Sequence, residues 1–127
     1  MDEELYRQNI LEHYKEPHNK RIILDATMEG KGKNANCGDL ITFYLKVDGD
    51  VVTDVSFVGV GCAVSQAAAS MLTDKVKGKT INELKAIAPG DVYNMLGVQI
   101  SPGRVDCALL GYKAMSQALL GSQAANL

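Results

Sequence analysis

The sequence predicts an α+β fold, a small three-stranded antiparallel sheet with helices packed on one face. Three observations predict it: an amphipathic segment near the start, two alternating segments joined by Asp48-Gly49, and several helical segments after them. Alternation of apolar and polar residues indicates strands, whereas apolar residues three and four positions apart indicate helices. Strands followed by a run of helices are typical of α+β domains.

A β-hairpin is the best-defined element of the sequence. Residues 41–47 and 51–58 alternate between apolar and polar side chains, and Asp48-Gly49 separates them. Glycine tolerates the positive φ that a two-residue hairpin turn requires. Because two strands alone are marginally stable, we expect a third strand, for which residues 21–27 are the best candidate. Residues 25–36, which hold several glycines and asparagines, are expected to form a loop.

Helices are predicted before and after the hairpin. Their expected ranges are residues 3–15, 63–77, 80–88, 91–96 and 106–120. Thr80 and Glu83 match a capping box, so a helix should begin there and end before Pro89. Asp106 is expected to cap the last helix, and the tail from Gly121 is expected to fray.

Size and charge fit one domain spanning residues 1–127. The chain has 127 residues, 46% hydrophobic and 22% charged residues, and a net charge of -2. No basic excess suggests nucleic-acid binding, and no run of 18 apolar residues suggests a membrane span. The acidic start, Met1-Asp2-Glu3-Glu4, is unlike a signal or transit peptide. These features predict a cytoplasmic protein with no nucleic-acid or membrane partner.

The three cysteines, Cys37, Cys62 and Cys107, carry the chemistry. An odd number argues against a disulfide framework. Each cysteine lies at the end of a predicted element, and helix N-termini favour the thiolate form of Cys62 and Cys107. Asp39 follows Cys37 by two residues, with Gly38 allowing a bend between them. Three thiolates and one carboxylate complete a tetrahedral Zn²⁺ site or anchor a two-iron cluster.

Simpler interpretations remain for each of these residues. A single free cysteine is most often buried and inert, and the spacing here is not a CxxC knuckle. Asp106 is a possible further ligand, although capping is its ordinary role. Arg104 is either a solvated loop residue or a counter-charge to the site. With four anionic ligands and a metal or cluster core of +2, the site would have a net charge of about -2. His13 and His18 are expected to be solvated rather than ligands.

Several motifs in order resemble the U-type iron–sulfur scaffold family, which comprises IscU, SufU and the N-terminal domain of NifU. The first cysteine lies in Asn36-Cys37-Gly38-Asp39, the second in Gly59-Val60-Gly61-Cys62-Ala63-Val64-Ser65, and the third in Arg104-Val105-Asp106-Cys107-Ala108-Leu109-Leu110. The N-terminal segment also resembles the family, from Leu5-Tyr6-Arg7-Gln8 through His13-Tyr14-Lys15-Glu16-Pro17-His18-Asn19. The resemblance covers nearly the whole chain.

This resemblance implies an iron–sulfur cluster assembly scaffold. It implies that Cys37, Asp39, Cys62 and Cys107 hold iron or a [2Fe–2S] cluster, and that a cysteine desulfurase supplies sulfur. The cluster would pass to apo acceptor proteins. Cys107, beside a loop, is the candidate sulfur acceptor, although a fixed ligand is an equal possibility.

The alternative function is a SufU-like, zinc-dependent sulfur acceptor with Zn²⁺ at the same site, so whether the protein is an enzyme stays open. The chain departs from IscU in having Asp106 where that branch has histidine, and in lacking its Pro-Pro-Val-Lys-type segment. Arg104 matches SufU, but the insertion usual in SufU is missing. A purely structural zinc module is the third possibility, and two chains sharing one cluster would make a homo-oligomer.

Overall fold

The computed structural model describes residues 3–34 and 38–125. Its elements, in chain order, are α1 Glu3–Lys15, β1 Met28–Asn34, β2 Asp39–Asp48, β3 Val51–Val60, α2 Ala63–Val76, α3 Ile81–Lys85, α4 Pro89–Leu96, α5 Val105–Ala108 and α6 Leu110–Ala125. A 3₁₀ turn, Pro102–Arg104, precedes α5. Within these ranges, no helix is both long and apolar enough to span a bilayer.

The described strands form one antiparallel sheet in the order β1-β2-β3. The predicted hairpin is confirmed: β2 pairs with β3, with Phe43 opposite Phe57 and Asp48 opposite Val51. The register shifts after Lys46, where an irregularity interrupts the ladder. The α+β fold class is therefore confirmed, with the sheet as a simple meander.

The predicted position of the third strand was wrong. The strand is β1, residues 28–34, which lay in the expected loop, and not residues 21–27. Gly30 and Gly32 are buried on the face that meets α6, where a Cβ atom on Gly30 would lie 2.2 Å from the Ala114 carbonyl oxygen. Met28 is therefore the one apolar side chain on the inner face of this strand, and the apolar alternation that reveals a strand is absent from its sequence.

Helices α2 and α6 pack against the sheet, and α1 packs against α2. The main core joins one face of β2 and β3 to these helices. Its fully buried large side chains include Ile41, Phe43, Leu45, Val55, Phe57, Leu72, Leu110 and Met115. Burying one such side chain is worth about 1.5–3 kcal/mol, so this apolar layer anchors the C-terminal half of α2 on the sheet through Leu72.

Most helix predictions are confirmed, and the last helix is corrected. Thr80 and Glu83 form the predicted capping box at the start of α3. Asp106 does not cap the last helix, because α5 already begins at Val105 and Asp106 lies in its first turn. The helix then breaks at Leu109 and resumes as α6, which continues to Ala125, beyond the expected end near residue 120.

Candidate metal centre

One edge of the sheet gathers the ends of several elements. Asn34, the last residue of β1, pairs with Asp39, the first residue of β2. Leu40 pairs with Val60, so Cys62, two residues beyond β3, comes to the same edge. Cys107 reaches it from α5. The Asp39 carboxylate and the sulfurs of Cys62 and Cys107 offer ligand atoms within 4.8 Å of one another.

Asp39 is buried at the N-terminus of α2. Its Oδ2 atom accepts hydrogen bonds from the Cys62 N–H and the Ser65 hydroxyl, both at 3.3 Å. A Cβ atom at Gly61 would lie 2.3 Å from the Ser65 Oγ atom and 3.0 Å from Asp39 Oδ2, so glycine is needed where these groups meet. The carboxylate is therefore held in place before any ligand binds, and it offsets the positive end of the helix dipole.

Cys62 is half-buried and immediately precedes α2. Burial opposes ionisation of its thiol, but hydrogen bonds from the Ser65 N–H, the Ser65 hydroxyl, Cys107 and the Val64 N–H outweigh burial and lower the pKa of Cys62. The predicted stabilisation of the Cys62 thiolate by the helix N-terminus is thus provided by these hydrogen-bond donors. A lowered pKa increases the thiolate fraction, which is the form that binds metal and attacks sulfur.

Cys107 is completely buried, in contrast to Cys62. The Asn34 Nδ2 group donates to its sulfur at 3.8 Å, which ties α5 to the end of β1. Arg104 lies beside both sulfurs: the charge on Cys62 and hydrogen bonds to Cys62 and Cys107 raise the pKa of the guanidinium. Arg104 is nevertheless exposed, so it is a solvated residue whose charge also acts on the two sulfurs, and both interpretations from the sequence describe part of its surroundings.

Two other candidates lie apart from this group or outside the description. Asp106 has a side chain that is 61% exposed, and its nearest charged partner is Lys113 at 3.7 Å. It is not in the group formed by Asp39, Cys62 and Cys107. Cys37 falls among residues 35–37, outside the described residues, so its part in the site stays a prediction from the sequence.

Sequence reasoning missed two contributors to this site and misjudged a histidine. Ser65 was read only as part of a motif, although its position three residues after Cys62 places it one helical turn along α2. Asn34 is the last residue of β1, where the sequence predicts a loop. His13 was expected to be solvated, but it is 8% exposed, and its Nδ1 atom lies 2.7 Å from the Ser70 Oγ atom. Burial, assisted by the nearby charge of His18, lowers the pKa of His13.

The donor set of the edge site suits a thiophilic metal. Two sulfurs and one carboxylate supply three of the four ligands of a tetrahedral centre, and thiolates are the usual anchors of small iron–sulfur clusters. The family model for the NifU-like N-terminal domain matches residues 5–126 of the sequence. The chain belongs to this family. The resemblance read from the cysteine motifs is thereby confirmed.

Curated relatives cover nearly the full length of the chain. The zinc-dependent sulfurtransferase SufU of Bacillus subtilis is 35% identical, over 96% of this chain and 94% of its own length. The iron–sulfur cluster assembly scaffold protein IscU of Thermotoga maritima is 32% identical, over 91% of this chain and 92% of its own. The chain is thus similar to members of both branches that the motifs indicated.

Solved structures agree with the fold. The crystal structure of SufU from Fervidobacterium islandicum, described as an assembly scaffold for the SUF system, matches with a TM-score of 0.74 and 32% identity over 94% of this chain and 99% of its own. A NifU-like N-terminal domain from Brucella abortus matches with a TM-score of 0.61 and 28% identity, over 97% and 90%. The sheet-and-helix arrangement is therefore that of the family.

Proposed function

We propose that this protein is an iron–sulfur cluster assembly scaffold. It would accept sulfur from a cysteine desulfurase, bind iron, assemble a [2Fe–2S] cluster and transfer it to apo proteins. The observation that carries the proposal is the convergence of Asp39, Cys62 and Cys107, with ligand atoms within 4.8 Å, in a chain of this family. Cys37, two residues before Asp39 in the sequence, is the proposed fourth ligand.

A scaffold must hold its cluster and then release it. Carboxylate oxygen is a harder donor than thiolate and binds iron less firmly in a sulfur-rich site, so Asp39 supplies the ligand that leaves first. Its hydrogen bonds to the Cys62 N–H and the Ser65 hydroxyl give the carboxylate a resting position when it is not bound to iron. Both contacts support a role in which the Asp39 carboxylate alternates between binding the cluster and accepting hydrogen bonds at the N-terminus of α2.

The electrostatics of the site favour the thiolate form of Cys62. The pKa of Cys62 lies below its ordinary value, chiefly because donors from Ser65 outweigh burial. Arg104 adds a positive charge beside both cysteine sulfurs. A site with several anionic ligands repels its own charges, and the guanidinium reduces this repulsion when no metal is present.

Sulfur delivery requires a nucleophile that the desulfurase can reach. The acceptor thiolate attacks the outer sulfur of the enzyme's persulfide, a new S–S bond forms, and the desulfurase cysteine leaves as thiolate. Cys107 stays the acceptor proposed from the sequence, but it is completely buried, so the 102–108 segment must move to expose it. Cys62 is the second candidate, because it is half-buried and its pKa is lowered.

The alternative function is a zinc-dependent sulfur acceptor. Its support is the similarity to Bacillus subtilis SufU, which is named a zinc-dependent sulfurtransferase, together with a thiolate-rich donor set that suits Zn²⁺. Here Cys37, Asp39, Cys62 and Cys107 would hold the ion, which keeps the thiols deprotonated when bound. In this function one cysteine thiolate would leave the ion and attack the desulfurase persulfide. Asp39 and Arg104 would keep their positions beside the remaining ligands.

The role of Asp39 can be tested by Asp39→Ala, with Asp106→Ala as the matched control at an exposed carboxylate outside the group. We expect Asp39→Ala to slow cluster transfer to an apo acceptor about tenfold or more, because the labile ligand is lost. Transfer would be followed by the visible absorption and circular dichroism of the acceptor. Asp106→Ala should transfer at the wild-type rate.

Loss of Asp39 also removes hydrogen-bond acceptors at the α2 N-terminus, with an expected stability cost of about 1 kcal/mol. Thermal unfolding of both variants therefore accompanies the transfer assay. Transfer by folded Asp39→Ala that is as fast as wild type, or faster, would rule out the labile-ligand role.

A further inference from the structure

A second cluster of metal-binding side chains lies away from the cysteine site. His13 in the last turn of α1, His18 in the following linker and Asp74 near the end of α2 offer ligand atoms within 4.8 Å of one another. Asp74 is twelve residues after Cys62 along α2, which corresponds to about 18 Å of helix. The two groups therefore lie at opposite ends of the same helix.

The histidine and carboxylate atoms are already oriented by their neighbours. His13 Nδ1 lies 2.7 Å from the Ser70 Oγ atom, which leaves Nε2 available to a ligand. Metal-bound histidines usually donate their other ring N–H to an oxygen, and Ser70 is placed to accept it. Asn19 Nδ2 donates to Asp74 Oδ1 at 3.0 Å, which holds the carboxylate and leaves Oδ2 beside His18 Nδ1 at 2.5 Å.

We propose that His13, His18 and Asp74 bind a divalent transition-metal ion of the Zn²⁺ class, independently of the cysteine site. Imidazole nitrogens and a carboxylate are ordinary ligands for such ions. Three protein ligands leave one tetrahedral position for water. A surface cavity of about 340 Å³, lined by Glu12, Lys15, Glu16 and His18, borders the cluster at His18, so water can reach the cluster from that side.

The movement needed to close the site is small. Ligand atoms around a tetrahedral Zn²⁺ with bonds of about 2.0–2.1 Å are about 3.3 Å apart. All present separations are within 4.8 Å, so no pair has to approach by more than about 1.5 Å. The His18 Nδ1 and Asp74 Oδ2 atoms, 2.5 Å apart, must instead separate by about 0.8 Å to share the ion. The side chains of His18 and Asp74 are 54% and 46% exposed and can adjust, whereas the buried His13 provides the fixed ligand.

A purely structural function would also use these contacts. The His18–Asp74 ion pair and the bonds to Ser70 and Thr73 connect α1 and its linker to α2 without any ion. The two possibilities differ in one measurable respect. A metal site binds an ion with a defined stoichiometry and loses that binding when His18 or Asp74 is substituted. A purely structural ion pair binds no metal ion at these residues.

The proposal can be tested by isothermal titration calorimetry with Zn²⁺ alone. The sample is full-length reduced protein that already holds one equivalent of Zn²⁺. We expect a second equivalent to bind, and His18→Gln and Asp74→Asn each to weaken it tenfold or more. Lys75→Gln, an exposed neighbour of Asp74 outside the cluster, is the matched control and should bind like wild type.

Long-range ¹H–¹⁵N spectra of the imidazole nitrogens show which equivalent of Zn²⁺ binds to the two histidines, whether the cysteine site or the histidine site fills first. The ring nitrogen resonances of both His13 and His18 should shift on zinc addition. The proposal is overturned if these resonances do not move, or if any second equivalent survives both substitutions. Because both variants change exposed side chains, thermal unfolding should show that they remain folded.

Discussion

Ser65 shows how one side chain serves several functions at the candidate metal centre. Its buried hydroxyl lies 2.9 Å from the Cys62 carbonyl oxygen and 3.3 Å from Asp39 Oδ2. Because a hydroxyl has one proton, it donates to only one of these oxygens, or to the Cys62 sulfur, at a time. It also contributes to lowering the pKa of Cys62. The residue therefore links the position of the carboxylate ligand to the ionisation of the neighbouring thiol, although it is not itself a proposed ligand.

We expect Ser65→Ala to raise the pKa of Cys62, because one hydrogen bond to the thiolate is lost while burial remains. The rate of Cys62 alkylation by iodoacetamide, followed by mass spectrometry as a function of pH, measures this shift. The alkylation profile should move to higher pH than in wild type. Ser116→Ala, on α6 and away from the site, should leave the profile unchanged, and an unmoved profile in Ser65→Ala would contradict the assignment.

The packing of β1 against α6 is the element-level feature that sequence patterns do not reveal. Gly30 and Gly32 face backbone atoms of α6 at distances that no side chain would allow. The alternating apolar residues of β2 and β3 identified their strands, but β1 presents glycines where apolar residues would be expected. A strand that is stabilised by close backbone approach to small residues on a helix carries no periodic signal.

We expect Gly30→Ala to destabilise the fold by about 1–3 kcal/mol, since its Cβ atom would lie 2.2 Å from backbone atoms of Ala114 and Ala118. Urea unfolding followed by circular dichroism measures the change. Gly90→Ala in α4 is the matched control, because nothing lies within 4 Å of its Cβ position. Similar unfolding midpoints for the two variants would show that the β1–α6 packing is looser than described.

The linker between α1 and β1 is fastened to the sheet by an ion pair. Arg21 Nη2 donates to Asp54 Oδ1 at 2.5 Å, and this bond lowers the pKa of the Asp54 carboxyl. A depressed carboxyl pKa contributes stability above the unfolded value of about 3.9, and the contribution is lost as pH falls through the lower folded value. The pair is partly exposed, at 46% and 29%, which limits its strength.

Asp54→Asn should therefore lower the free energy of unfolding by about 0.5–1 kcal/mol at pH 7. The difference from wild type should shrink below about pH 4, where the wild-type carboxyl also becomes protonated. Urea titrations between pH 3 and 7 provide the test. A difference that stays constant over this range would assign the effect of the substitution to packing rather than to charge.

At the scale of the whole molecule, α2 connects the two clusters of ligating side chains. Its start meets Asp39 and Cys107 through Cys62 and Ser65, and its end meets α1 through Asp74 and Ser70. Every residue from Ser65 to Thr73 is buried, so the helix is fixed along most of its length. Each candidate site thus lies at one end of this fixed helix, and residues from neighbouring strands, helices and linkers complete it.

The sequence was sufficient wherever periodicity or a motif carried information. The hairpin and the α2 and α3 helices follow from alternation, apolar periodicity and capping residues. The grouping of Asp39 with Cys62 and Cys107 was left open by the placement of the cysteines and was implied by the family motifs. Prediction from the sequence failed where contacts between distant segments determine the structure or the burial of a residue. The contact of β1 with α6, the burial of His13 against Ser70 and the interaction of Arg104 with Cys62 all join segments far apart in the chain.

The most direct test of the scaffold proposal is the metal content and visible absorption spectrum of anaerobically purified protein after incubation with a cysteine desulfurase, cysteine, Fe²⁺ and a thiol reductant. A scaffold should acquire two irons per monomer or per dimer, with charge-transfer bands that vanish on transfer to an apo acceptor. One tightly held Zn²⁺, no cluster formation and faster desulfurase turnover would contradict the scaffold and establish the zinc-dependent alternative.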